Sequence, residues 1–167
     1  MKTANTSIRK ATIADAAIIA DIYNEHITAG GSTMDEVLKN GSDITNWINA
    51  FNGRELILVL EDSESIFGWG IIKRYSDRKG YDVACETAVY LRSNKTGQSF
   101  GGMMKKALIE KCRELNYHHL VAKIFSENYA SIRYNQKLGY DIVGVQKEIG
   151  FKRGKWLDVT IMQLLLK

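Results

Sequence analysis

Ala88-Val89-Tyr90-Leu91-Arg92-Ser93-Asn94-Lys95-Thr96-Gly97-Gln98-Ser99-Phe100-Gly101-Gly102-Met103-Met104-Lys105-Lys106-Ala107-Leu108 passes from a β-rich run through a glycine-bearing loop into a helical period. Strand, loop and helix start in that order point several backbone N–H groups and the positive end of a helix at one spot. The stretch therefore predicts an anion site suited to a phosphate or pyrophosphate. It is not a P-loop, because no Gly-Lys-Ser/Thr follows the first glycine at the required spacing, and it is not the G-x-G-x-x-G of dinucleotide folds. Standing alone, the same pattern also fits an ordinary strand-to-helix turn.

The surrounding chain supplies the context. Ser7-Ile8-Arg9-Lys10 reads as a first strand, and Thr12-Ile13-Ala14-Asp15 has the form of a helix cap. Ile18, Ile19, Ile22, Tyr23 and Ile27 then recur at helical spacing up to Gly30-Gly31. A second helix is expected from Asp43 to Phe51, starting at Ser42. Leu56 to Leu60, Ile66 to Lys73 and Ala84 to Leu91 are apolar or β-rich runs separated by turn residues, and they predict an antiparallel meander. Gly101 to Leu115 is helical, His119 to Phe125 a strand, and Ala130 to Leu138 a helix ended by Gly139. Tyr140 to Glu148 and Trp156 to Leu166 predict two last strands around a loop from Gly150 to Lys155. The order is β-α-α-β-β-β-α-β-α-β-β, an α/β (α+β) class with a mixed sheet.

Composition narrows the classes of function. A chain of 167 residues with no linker, repeat or low-complexity tract predicts one domain over residues 1–167. Apolar residues make up 45% and charged residues 25%, as in an ordinary folded domain. No apolar run is long enough to cross a bilayer, and the polar amino terminus does not resemble a secretory signal, so a cytoplasmic protein with no membrane contact is expected. Cys85 and Cys112 belong to no CxxC or CxH pair and predict buried free thiols, with no metal. His26, His118 and His119 have no ligand spacing. The net charge of +4 is spread along the chain, which argues against a nucleic-acid partner and suits a phosphate-bearing co-substrate.

Two motifs together resemble a known family. Thr96-Gly97-Gln98-Ser99-Phe100-Gly101 is similar to the Arg/Gln-x-x-Gly-x-Gly/Ala loop with which GNAT acetyltransferases bind the pyrophosphate of coenzyme A. It differs at Thr96 and at Ser99, where the family has Arg or Gln and the first Gly. Asn128-Tyr-Ala-Ser-Ile-Arg-Tyr-Asn-Gln-Lys-Leu-Gly-Tyr140 resembles the family's Asn-x-x-Ser…Lys-Leu-Gly-Phe/Tyr helix. Ala84 to Leu91 and Ile149 to Val159 resemble the Glu-x-x-Val-Tyr-Val and Gly-Phe-Lys-x-Gly-x-Trp-x-Asp-Val elements of phosphinothricin and methionine sulfone acetyltransferases. Tyr23-Asn24 and Ser32-Thr33-Met34-Asp35 fit that branch too, so the likeness spans roughly residues 7 to 165.

The resemblance implies a GNAT fold, acetyl-CoA as co-substrate, and direct transfer of acetyl to the primary amine of a small amino-acid-like acceptor. It assigns cofactor contacts to Val89, Tyr90, Leu91, Thr96, Gly97, Gln98, Ser99, Phe100, Gly101, Gly102, Asn128, Ser131 and Asn135. A backbone amide between Val89 and Leu91 would polarise the thioester carbonyl. Glu86, a carboxylate in an otherwise apolar strand, is the expected general base, directly or through water, with a structural ion pair as the other reading. Many GNAT enzymes protonate the leaving thiolate with a tyrosine, whereas the matching position here is Asn135, which cannot act as an acid.

Arg74, Arg78 and Tyr81 lie where the resembling enzymes hold an acceptor's carboxylate; a solvated basic turn is the alternative. Phe151 and Trp156 inherit a place near the active site and a two-fold contact, which implies a homodimer. No nucleophile with an adjacent base is evident, since Cys85 and Glu86 must point to opposite faces of a strand. A polyamine, aminoglycoside or protein amino terminus as acceptor, or a non-catalytic CoA-binding domain, would fit the same resemblance.

Overall fold

The computed structural model describes residues 5–167; residues 1–4, with the start of the polar amino terminus, lie outside the described residues. In chain order the elements are β1 Ser7–Lys10, α1 Ala16–Ala29, α2 Gly41–Ala50, β2 Leu56–Glu61, β3 Ile66–Arg74, β4 Ala84–Leu91, α3 Phe100–Glu114, β5 His119–Phe125, α4 Tyr129–Lys137, β6 Asp141–Lys152 and β7 Lys155–Leu165. The expected order holds throughout. The strands form one seven-stranded sheet in the order β1-β2-β3-β4-β5-β7-β6. All neighbouring pairs are antiparallel except β4 and β5.

Both faces of the sheet are covered, which is why β2 reads as an unbroken apolar run rather than an alternating one. Leu56, Leu58 and Leu60 join Met104, Leu108 and Cys112 of α3 in one core. Ile57 and Val59 turn the other way, onto Ile19, Ile22 and Ile27 of α1 and Ile44 of α2. Cys85 and Cys112 are free and fully buried, as expected of thiols that pack as small apolar groups, with their sulfurs 3.6 Å apart.

Helix ends follow local chemistry. Gly30 terminates α1 at a φ of 80° and Gly139 follows α4 at 98°, both in the left-handed region that glycine enters without a Cβ penalty. The start of α2 differs from the Ser42 expected. Asn40 caps it, its Oδ1 accepting from Asp43 N at 3.0 Å while Asp43 Oδ2 accepts from Asn40 N at 2.8 Å. That reciprocal pair satisfies two helix-end donors at once, which Ser42, already inside the first turn, cannot do.

The stretch from Gly150 to Lys155, expected as a loop, is instead the tip of a hairpin. β6 runs to Lys152 and β7 starts at Lys155, so only Arg153 and Gly154 are left to turn the chain. Both have positive φ, 51° and 74°, as the two-residue turns that match strand twist require. Further back, the register of β6 slips between Gln146 and Gly150. Asp158 of β7 holds that bulge, accepting from Glu148 N at 2.7 Å and pairing with Lys147 at 3.2 Å, and these contacts lower its carboxyl pKa.

Candidate active site

The centre of the molecule is where β4 and β5 part. Their parallel pairing covers Ala84–His119, Cys85–Leu120 and Glu86–Val121 and then stops, although β4 continues to Leu91. The other edge of β4 stays bound to β3 up to the Gly68–Leu91 pair. Tyr75 N donates to Ala84 O, and Arg92 N to Phe67 O, so even-numbered residues of β4 face β3. Alternation therefore turns the backbone groups of Val89 and Leu91 to the edge that β5 has left. The carbonyl of Leu91 is claimed by His26 Nε2 of α1 at 2.7 Å. The amide of Val89 looks into the gap.

The gap is a cleft lined from β4 by Thr87 to Tyr90, from β5 by Ala122 to Phe125, and from α4 by Asn128, Ser131, Tyr134 and Asn135, with Lys105 of α3 among them. Tyr134 on its wall packs beside Gly102 in the first turn of α3. Gly97 and Ser99 both have positive φ, 72° and 66°. Ser99 thus takes the left-handed conformation of a glycine at the position where the family has one. The first amides of α3, at Phe100, Gly101 and Gly102, have no partner one turn back in the helix and are aimed outward with the helix dipole. A Cβ at Gly102 would stand 3.3 Å from the Tyr134 ring, so glycine there lets α3 and α4 approach. Thr96 and Gln98 spend their side chains inside the loop, on Ser93 O and Asn94 O.

On α4, Asn128 Oδ1 caps the helix by accepting from Ser131 N at 3.2 Å. Asn135 is 4% exposed; its Nδ2 donates to Ser131 O, while its Oδ1 and the hydroxyl of Tyr134 are buried with no hydrogen-bond partner. Orphaned polar atoms facing a cleft are what a pocket for a polar ligand leaves behind when described without it. The cleft therefore fits an extended thioester donor: free amides for a diphosphate at one end, an open strand edge for its amide-bearing arm, and buried acceptors farther in. Among the described residues no group of His, Cys, Asp and Glu is arranged to hold a metal ion.

Beyond Tyr90, Lys123 and Phe125 the cleft meets a second cavity of about 400 Å³, lined by Tyr23, Thr33, Met34, Asp35, Lys73, Glu86, Gln146 and Val159 among others. Glu86 is opposite Lys73 in the β3–β4 register, and its Oε2 lies 3.3 Å from Lys123 Nζ. With Lys123 half exposed, that pair is worth no more than about 1 kcal/mol, so an incoming ligand can open it. Tyr23 donates to Asp35 and lies 2.8 Å from Thr33 Oγ1, and burial raises its phenol pKa far above the usual value. Lys152, also buried, fastens this wall by donating to Thr33 O and Asp35 O at 2.9 and 2.7 Å.

The structure brings Val89, Asn128, Ser131 and Asn135 together around one cleft, with Glu86 in the adjoining cavity. Tyr90 contributes its backbone there, while its ring packs edge-on against Tyr23 and His26. Other expected residues stand apart. Arg74 alternates to the opposite face from Lys73, where Glu55 and Asp77 hold it at 3.1 and 2.6 Å beside a separate cavity. Arg78 is exposed in the turn, and Tyr81 stacks on Tyr75 away from Glu86. Phe151 and Trp156, 57% and 60% exposed, pack on each other at the hairpin tip and do not line the Glu86 cavity. In place of Arg74 and Arg78, the cations beside Glu86 are Lys73 and Lys123. The signal for Lys123 is a lone charge in the apolar run His119 to Phe125; Lys73, next to Arg74 at a strand end, offered none.

Residues 8–161 match the family model described as an acetyltransferase (GNAT) domain. The chain belongs to the GNAT acetyltransferase family. It is 31% identical to the L-methionine sulfoximine/L-methionine sulfone acetyltransferase of Pseudomonas aeruginosa, over 97% of this chain and 95% of that protein. It is also 31% identical to an L-amino acid N-acyltransferase of Escherichia coli, over 96% of this chain and 94% of that one. Among solved structures, a GNAT superfamily phosphinothricin acetyltransferase from Sinorhizobium meliloti in complex with acetyl-CoA superposes with a TM-score of 0.91 at 26% identity, covering 96% of this chain and 88% of that chain.

Proposed function

We propose that this chain is a cytoplasmic N-acetyltransferase, one domain from end to end, that moves acetyl directly from acetyl-CoA to the amine of a small amino-acid-like acceptor of the methionine sulfone or phosphinothricin type. The observation that carries the reading is the bare edge of β4 facing the cleft, with the first turn of α3 beside its Tyr134 wall and Glu86 in the adjoining cavity. The names of the relatives, with more than nine-tenths of this chain aligned to them, support the acceptor class.

In this reading the amides from Ser99 to Gly102 and the loop through Thr96, Gly97 and Gln98 bind the diphosphate, and Asn128, Ser131 and Asn135 face the arm. The Val89 amide stabilises the negative charge that develops on the thioester oxygen, at a position fixed by the strand before the reaction begins. Glu86 takes a proton from the acceptor's ammonium, directly or through water, so that the nitrogen attacks as a free amine. Lys73 and Lys123 flank that carboxylate and are placed to hold an acceptor's own carboxylate, the task the sequence had pointed to Arg74 and Arg78 for. The exposed Phe151–Trp156 pair is the contact through which two copies form a homodimer.

Thiol release from acetyl-CoA in the presence of methionine sulfone, methionine sulfoximine, phosphinothricin and a few polyamines tests the assignment. Glu86→Gln should lower kcat/KM on the best amine by about 10²- to 10⁴-fold and leave acetyl-CoA binding within a few-fold. Full activity in the variant removes Glu86 from the base role. Tight acetyl-CoA binding with no release on any amine would make the chain a CoA-binding domain instead.

A further inference from the structure

Two lysines are buried among the described residues, Lys105 and Lys152. Lys152 is occupied by two backbone carbonyls. Lys105, 4% exposed on α3, has one hydrogen-bond acceptor, Thr87 Oγ1 at 2.7 Å, and the face of the Tyr140 ring 4.8 Å away. No carboxylate lies within ion-pair distance of it among the described residues. An ammonium carries three donors, and leaving one underused inside a protein is costly unless something else uses it.

Thr87 is the first residue of β4 beyond the last β4–β5 pair, so the bond to it fixes Nζ at the apex of the cleft, one residue from Glu86. A donor whose diphosphate sits at the start of α3 and whose acetyl group reaches the Val89 amide must carry its sulfur past that apex. Resting on the acetyl-transfer reading above, we propose that Lys105 is the proton donor to the departing thiolate of coenzyme A, the role that Asn135 cannot fill.

The step balances within the site. As the C–S bond breaks, its electron pair stays on sulfur; one N–H proton of Lys105 moves to that sulfur, giving the free thiol and a neutral amine. The acceptor nitrogen loses two protons in all, one from its ammonium before attack and one as the amide forms; Glu86 takes each in turn and passes it to water, and water at the open end of the cleft re-protonates Lys105. Burial lowers the Lys105 pKa to about 8, which suits transfer to a thiolate near neutral pH. The ionisable groups around it are Cys85 and Glu86 of β4, Cys112 of α3 and Tyr140 after α4. Tyr134 is the rival donor in the same cleft, but burial raises its phenol pKa, which weakens it as an acid.

Lys105→Met keeps the bulk and removes the proton; Lys105→Gln keeps a donor for Thr87 and also cannot ionise. Both should lose roughly 10²-fold or more in kcat, with acetyl-CoA affinity by calorimetry within about threefold of wild type. The fall in wild-type kcat above pH 8 should vanish in both. Without ligands, Lys105→Met should melt no lower than wild type and up to roughly 5 °C higher, because a buried charge has been replaced by an apolar chain. Tyr134→Phe, which removes the rival hydroxyl, should leave the high-pH limb of kcat in place. The proposal is overturned if kcat of both lysine variants stays within threefold, if the high-pH limb is unmoved in them, if both variants melt lower and lose acetyl-CoA binding in proportion, or if Tyr134→Phe alone abolishes that limb. Failure of the acetyl-transfer reading itself would show separately, as wild-type protein that releases no thiol with any amine.

Discussion

A buried ammonium leaves a mark on stability as well as on catalysis. Lys105 has its pKa lowered from 10.5 to about 8, chiefly because burial disfavours the charged form. Between those two pH values the unfolded chain binds a proton at this site that the folded chain does not. Stability therefore rises with pH across the window: the cost of burying the charge is fully present below pH 8 and is gone near pH 10.5. The whole swing is on the order of 3 kcal/mol. Urea midpoints of wild type and Lys105→Met, measured from pH 7 to 10, should converge as pH rises, since the other titrating groups are common to both. A constant gap would mean that folding leaves the pKa of this lysine where the unfolded chain has it, so that burial does not disfavour its charge. Nothing in a Lys-Lys pair within a helix marks one member as buried, and only the spacing of Lys105 from Gly101 and Ile109 places it on the packed side. Glu86, a carboxylate in an apolar strand, was conspicuous in the sequence and lines the cavity beside the cleft, whereas a one-residue alternation sends Arg74 to the other face, beside a separate cavity.

At the level of elements, the turn into α3 shows how a substituted motif keeps its shape. Ser99 stands at a φ of 66°, where a side chain costs about 1–2 kcal/mol, so the loop retains the glycine geometry at the expense of local strain. Ser99→Gly should relieve it. Allowing for the greater freedom glycine gives the unfolded chain, a net gain of about 0.5–1 kcal/mol is expected, or roughly 1–4 °C in melting temperature. A lower melting temperature would show that the serine side chain, rather than the backbone, secures the turn. The order of elements was readable because both meander and helices carry clean periods, and β4 and β5 fall where the sequence placed them. The hairpin tip was not, since Gly150 to Lys155 is rich in glycine and charge, and only the pairing of Phe151 with Trp156 across it reveals strand. A Cβ at Gly150 would meet the end of the Met34 side chain, a contact between segments far apart in sequence, and Met34 would have to swing aside.

Across the whole molecule, the sheet is two blocks, β1-β2-β3-β4 and β5-β7-β6, joined by three residue pairs. The first block is secured by both helical cores, and α1 is tied to the end of β4 through His26 and through Arg92, which pairs with Asp21 and Glu25 at 2.8 and 2.6 Å. The second block meets the first along that short seam, through the core it shares with α3, and where Lys152 and Arg153 bond to carbonyls of residues 27–35. On the proposed reading, a donor in the cleft would touch β4 and the start of α3 on one side and β5 and α4 on the other, bridging the blocks as well as binding to them. Acetyl-CoA at 100 times its Kd should stabilise the fold by about 2.7 kcal/mol, which in a chain of this size is roughly 5–11 °C. Because the ligand closes the seam, protection from amide hydrogen exchange should rise at residues 87–91, 99–103 and 122–135 beyond the gain that global stabilisation gives β1 and β2, which the cleft does not reach. Slowed exchange confined to residues 99–103 would mean that the donor is held by its diphosphate alone and that the bare edge of β4 has another use.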